Sequence, residues 1–143
     1  MKHILMLVVI TMAFSAPAYA ADLTIKLTDL RNKTGNIAIA IYEDSAAFKE
    51  NKVEHAPYTM LLTATGTQSL TLHSFPVGTY AISILHDENK NGALDMSKYN
   101  FPTEGYAYSN NVGKMSIPSF EKASFIHSGD TNTEQTIQII YIK

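Results

Sequence analysis

From residue 22 onward the chain alternates apolar and polar positions in short runs. That period of two marks strands with one buried face. Residues 22–30 (DLTIKLTDL) set Leu23, Ile25 and Leu27 against Thr24, Lys26 and Thr28. Residues 36–42 (NIAIAIY) repeat the pattern, with Ile37, Ile39 and Ile41 on one face and alanines on the other. The intervening RNKTG is turn chemistry, so the two runs are expected to pair as a hairpin. Residues 43–55 break the alternation, and Ser45 is placed to cap a short helix whose single buried anchor is Phe48. Further strand patterns occupy residues 58–65, 68–75 and 79–85, the last following the turn Pro76-Val77-Gly78 and bringing Tyr80, Ile82 and Ile84 into register. A short apolar stretch (122–126) and the β-branched run 133–142 complete the set. That final run is apolar on both faces near its end, which predicts either a central strand or a dimer edge.

About seven short strands with hardly any helix predict an all-β fold, an antiparallel immunoglobulin-like sandwich of two sheets. Residues 86–118 show no sustained period and are expected to form one long loop. Connections of that length in a compact domain are usually functional or disordered. Tyr99, Phe101, Tyr106, Tyr108 and, just beyond, Phe120 argue for order.

The first twenty residues stand apart. Lys2 and His3 precede an apolar segment (4–14), and Ala18-Tyr19-Ala20 supplies a signal-peptidase site. The segment is too short to cross a hydrocarbon core of roughly 30 Å as a helix. We expect a bacterial secretory leader cleaved after Ala20, a single β-sandwich domain over 21–143, and export to the periplasm or the medium with no anchor retained. The chain has no cysteine, which closes the lipoprotein route. Its formal net charge is −2 and it has no basic cluster, which argues against nucleic acid and anionic membrane surfaces as partners.

The long loop opens with the densest chemistry. Asp87, Asn89, Asn91 and Asp95 fall at positions one, three, five and nine, with Gly92 at six to allow a sharp bend. Calcium takes six to eight hard oxygen ligands, and alternate residues of a tight loop can converge on it. The carbonyl of Ala93 at position seven would add a ligand, and Glu88 or Glu104 could contribute from outside. Lys98 stands where an EF-hand has its bidentate glutamate, and no helix pattern flanks the loop. Any calcium held here is therefore expected to bind weakly, in the roughly 10⁻⁴–10⁻³ M range. The competing reading is a metal-free Asn91-Gly92 turn with solvated polar neighbours.

Two other constellations compete. His86, Asp87, Asp95 and Glu104 could form the centre of a metal-dependent hydrolase, although no histidine pair has ligand spacing and no serine lies in a nucleophile motif. Tyr99, Phe101, Tyr106 and Tyr108, with His86 at the rim, could instead stack on a carbohydrate or clamp a peptide. A non-enzymatic domain that binds an envelope protein or a small ligand is the preferred reading, with monomer or dimer left open.

FPVGTYAISILHDENKNGALD, then FPTEGYAYSNN and PSFEKASF, in that order, resemble the secreted bacterial proteins of domain-of-unknown-function family 2141. The likeness covers the chain from the LTDLR opening onward. It implies a small exported all-β domain and carries no catalytic residues to transfer. More distantly, the P-x-G-T-Y-x-I turn is similar to transthyretin-like and collagen-adhesin B-type sandwich modules. Family members often have glycine where this chain has Lys90 and a basic residue in place of Ala93; neither change removes a candidate ligand side chain.

Overall fold

The structure is a computed structural model that describes residues 20–142. The expected leader, apart from Ala20, lies outside the described residues. Eight strands form two sheets: β1 (Leu23–Thr28), β2 (Asn36–Tyr42), β3 (Tyr58–Thr63), β4 (Gln68–Leu72), β5 (Gly78–Asp87), β6 (Gly105–Tyr108), β7 (Phe125–His127) and β8 (Thr133–Gln138). The smaller sheet has the order β4-β1-β8. The larger runs β3-β2-β5-β6, with β7 pairing the first residues of β5. The all-β sandwich is as expected, with one strand more than the pattern suggested, because Gly105–Tyr108 forms β6 inside the stretch expected as loop.

One pairing differs from expectation. β1 and β2 are not a hairpin: β1 lies antiparallel to β4 and parallel to β8, while β2 pairs with β3 and β5. The polar 31–35 segment carries the chain from one sheet to the other. Leu23, Ile25 and Leu27 then face Ile37, Ile39 and Ile41 across the interior, joined by Tyr80, Ile82, Ile84 and Ile137. Burying the isoleucine stripe against the other sheet satisfies the same alternation that a hairpin would.

The larger sheet is also covered on its outer face. Ala40, Tyr42, Ala81, Tyr106 and Tyr108 form a second buried cluster beneath α1 (Ser45–Glu50) and α2 (Phe120–Ala123). The helix at 45–50 is as expected, but its cap is Asp44, whose carboxylate accepts the Ala47 N–H at 2.9 Å. Phe48 is fully buried, with edge-on contacts to Tyr42, Tyr108 and Phe120 at 5.5, 5.8 and 6.0 Å.

The chain end switches sheets, which explains its two apolar faces. Beyond β8, Ile139 enters the inner core, while Ile140 exchanges two backbone hydrogen bonds with Tyr106 on the edge of the larger sheet. Ser109, Asn110 and Asn111 clamp this corner. Ser109 Oγ accepts the Ile82 N–H and donates to the Ala123 carbonyl. Asn110 donates to the Lys122 and Ser124 carbonyls, and Asn111 accepts the Gln138 N–H at 2.8 Å.

Because Phe48 anchors the cover of the outer face, Phe48→Ala should cost about 3 kcal/mol of stability in chemical denaturation. A loss under about 1 kcal/mol would mean that α1 is not held by this side chain.

Candidate functional site

Strand alternation at the end of β5 sends His86 into the inner core and Asp87 to the opposite face. From there the chain folds into a tight loop stitched by its own side chains. Asp87 is buried; its Oδ1 accepts the Asn91 N–H at 3.1 Å and its Oδ2 the Gly92 N–H at 2.8 Å. Asn89 Oδ1 accepts the Asn91 N–H and Asn91 Oδ1 the Ala93 N–H, each at 2.9 Å. The two amide groups then converge on one carboxylate: Asn91 Nδ2 donates to Asp95 Oδ1 at 2.9 Å, and Asn89 Nδ2 donates to Asp95 Oδ2. Lys90 and Gly92 supply the bend at φ of 63° and 79°. Lys90 thus holds a left-handed conformation that glycine adopts without strain.

Glu104, buried immediately before β6, braces this loop from behind. Its Oε1 accepts the Glu88 N–H at 2.8 Å and, weakly, the Asn89 N–H at 3.4 Å; its Oε2 accepts the Asp95 N–H at 3.2 Å. One carboxylate therefore ties the loop's entry to its exit. Glu88 faces elsewhere. Arg31 grips it through two charge-assisted hydrogen bonds of 2.7 and 2.6 Å, and Asn32 adds a third at 2.9 Å. The Arg31 hydrogen bonds hold the Glu88 carboxyl below its ordinary value. Arg31 also donates to the Thr103 carbonyl and lies 4.5 Å over the Tyr141 ring. The 31–35 segment presses against the loop entry at Gly35, where a Cβ would collide with the Asp87 carbonyl.

Asp87, Asn89, Asn91 and Asp95 are thus linked by hydrogen bonds within one loop. Ala93 sits at the exposed turn, Glu104 touches the loop through backbone amides, and Glu88 is held by Arg31. Among the described residues, no three His, Cys, Asp or Glu side chains gather in a metal-holding group. Any cation here would depend on asparagine and backbone oxygens as well as carboxylates.

The hydrolase constellation is not assembled in this way. His86 is fully buried on the other face of β5 from Asp87. Its Nε2 lies 2.8 Å from the Thr34 carbonyl, which can only accept, so Nε2 donates there, while Nδ1 lies 2.6 Å from the Tyr141 hydroxyl and 3.8 Å from Glu88 Oε1. The aromatic set is divided as well. Tyr106 and Tyr108 are buried in the outer-face cluster, 6.2 Å apart, where burial pushes the Tyr108 hydroxyl up to about 12. Tyr99 and Phe101 belong to a small projecting turn closed by the Met96–Pro102 bridge, with Tyr99 70% exposed.

The sequence profile of a family described as "Uncharacterized protein conserved in bacteria (DUF2141)" matches residues 25–136, and the chain belongs to that family. The match spans β1 through most of β8 and includes the loop and its brace. No curated protein and no solved structure matches the chain.

Two predictions follow from the bracing. Glu104→Gln leaves one oxygen to serve both ends of the loop. It should cost about 1–3 kcal/mol and speed hydrogen exchange at the Glu88, Asn89 and Asp95 amides; unchanged exchange would refute the brace. The Arg31–Glu88 pair acts through a depressed acid. Its contribution is fully present above the ordinary glutamate value of 4.5 and is lost as pH falls through the lower folded value. The acid limb of a stability–pH curve should therefore be shallower in Glu88→Gln than in the parent.

Proposed function

We propose that this member of the DUF2141 family is an exported, non-enzymatic binding domain whose 87–95 loop takes up calcium weakly. Calcium would stiffen one end of the sandwich, which engages an envelope partner or a small ligand. One observation carries the reading. Four side chains with the chemistry and spacing of hard-cation ligands, Asp87, Asn89, Asn91 and Asp95, are linked in one tight loop. Export rests on the leader read from the sequence.

The donor set fits calcium better than other divalent ions. Two carboxylates, two amide oxygens and a turn carbonyl supply oxygen without nitrogen or sulfur, which disfavours zinc and copper. An irregular loop suits the flexible shell of calcium more than the rigid octahedron of magnesium. Weak affinity has a physical origin here. To present Oδ1, Asn89 and Asn91 must rotate their amides, giving up donation to Asp95 and acceptance from the Asn91 and Ala93 N–H groups. A cation therefore competes with hydrogen bonds the loop already makes.

Thermal denaturation tests the proposal. Calcium at about ten times its Kd should add about 1.4 kcal/mol to the native state by mass action and raise Tm. Magnesium at equal ionic strength should do markedly less, and Asp95→Asn should remove the calcium response. Superimposable melting curves in millimolar calcium and in chelator would sink it.

A further inference from the structure

Each sheet ends in a free strand edge on the same side of the sandwich. β3 closes the larger sheet and β4 the smaller, and the short 64–67 connection joins them there. The opposite side is capped. Ile140 occupies the edge of β6, and Asn111 occupies that of β8 by accepting the Gln138 N–H and donating to the Thr136 carbonyl. The β3–β4 side has no such cover among the described residues. Its core-facing side chains show the difference. Tyr58, Met60 and Leu62 on β3 and Leu70 and Leu72 on β4 are only half-buried. One strand further in, Leu23, Ile25, Leu27, Ile37, Ile39 and Ile41 are at most 1% exposed.

Nor is this edge guarded. Soluble proteins blunt free strands with charged side chains, proline or bulges. Residues 58–72 contain no Asp, Glu, Lys, Arg or Pro, and β3 runs along β2 in unbroken register. Leu61 points outward from the middle of β3 and is 67% exposed. The register also fixes which backbone groups are unpaired. The Ala64 N–H bonds to the Gly35 carbonyl, continuing the ladder in which Asn36 faces Thr63. Backbone direction alternates along a strand, so Tyr58, Met60 and Leu62 bond toward β2. Thr59, Leu61 and Thr63 turn their N–H and C=O groups to the open side.

The open edge is symmetric about Leu61. Its outward side chains read Thr59-Leu61-Thr63, the same sequence in either direction. A two-fold contact requires such self-complementarity. With a second β3 laid antiparallel and Leu61 opposite Leu61, Thr59 falls opposite Thr63 on both sides of the axis. About six backbone hydrogen bonds then form, and outward side chains stay on one face of the joined sheet. Opposed threonines and an apolar pair are favourable cross-strand neighbours. Pro57, which has no N–H, and Gly66 bound the paired stretch. Charge selects the same occupant. A chain of net charge −2 meets its own copy without facing like charges where the contact strands carry none.

We propose that the β3 edge pairs antiparallel with β3 of a second copy of this chain, joining two larger sheets into one. Met60 and Leu62 of each copy then cover one another across the junction. The contact is small. Seven residues of strand span roughly 24 Å, and two sheets about 10 Å apart keep it below the roughly 800 Å² per partner of a durable interface. Such a dimer is expected to dissociate with a Kd of about 10⁻⁴ M. The pairing goes beyond the calcium reading and requires no cation in the loop.

Sedimentation equilibrium and amide hydrogen exchange test it, in chelator and from about 20 µM to about 1 mM protein. The mass should move from one chain toward two as concentration rises. Exchange at Thr59, Leu61 and Thr63 should slow several-fold over the same range, while Tyr58, Met60 and Leu62 stay protected throughout. Because the Leu61 side chain is exposed, Leu61→Lys and Leu61→Glu leave the fold intact. Each sets like charges together on the two-fold axis and should stay monomeric at about 1 mM. Mixed in equal amounts, the two variants should form a heterodimer. A parent chain that remains monomeric at about 1 mM overturns the proposal. So does a Leu61→Lys variant that dimerises like the parent, a mixture no more associated than either variant alone, or slowed exchange confined to other amides.

Discussion

β5 is buried on both faces, and most of the architecture answers to that constraint. A strand at the centre of a sheet must hydrogen-bond on both edges and find apolar partners above and below. The opposite sheet serves the inner side through Tyr80, Ile82 and Ile84. The outer side needs a second cover, which two short helices and the 112–124 stretch provide over Ala81, Tyr106 and Tyr108. On its second edge β7 pairs with the first residues of β5 and β6 with the later ones. The segment between β5 and β6 is therefore returned to its starting edge. A loop with both ends fixed on adjacent strands is short of freedom, which is why it can be closed by a few hydrogen bonds.

The closing groups are carboxylates, and their burial decides their role. Glu104 and Asp87 are each almost wholly removed from water and each accept backbone N–H groups. An acceptor so placed stabilises a backbone turn whose amides have no strand or helix partner. Asp95 differs: it is partly exposed and bonded by side-chain amides, which can rotate. The loop thus has a fixed inner half and an adjustable outer half. The proposed cation uptake would use the second without disturbing the first.

Much of the fold was legible in the sequence because alternation specifies which side chains are buried. The stripes Leu23-Ile25-Leu27 and Ile37-Ile39-Ile41 both face the inner core. Alternation does not specify which strand is a neighbour, and so the apparent β1–β2 hairpin became a sheet-to-sheet crossing with β1 parallel to β8. β6 fell inside the expected loop because a four-residue strand buried on both faces has no sustained apolar–polar alternation to set it apart. The apolar end of the chain was noticed, but its cause, a single segment serving two sheets in turn, exists only in three dimensions.

The candidate site divides in the same way. Asp87, Asn89, Asn91 and Asp95 are near in sequence, so their spacing was enough to bring them together. Glu104 was within view as an outer contributor, yet its attachment to three backbone amides depends on how β6 returns to β5. A cleft of about 300 Å³ on the outer face of the larger sheet, floored by Ala38, Ala40 and Ser83, had only one trace in the sequence, the alanines opposite the isoleucine stripe of β2. In a strand buried on one face those alanines would be unremarkable surface residues. Beneath a helix they measure missing volume. Asn51 ends α1 in a left-handed conformation, φ 48°, and lines that cleft with Lys52, Val53 and Glu54. The polar wall is therefore a consequence of helix termination, and the apolar floor a consequence of side-chain size. Neither carries a motif, because the two are joined only by the packing of α1 through Phe48 on Tyr42 and Tyr108.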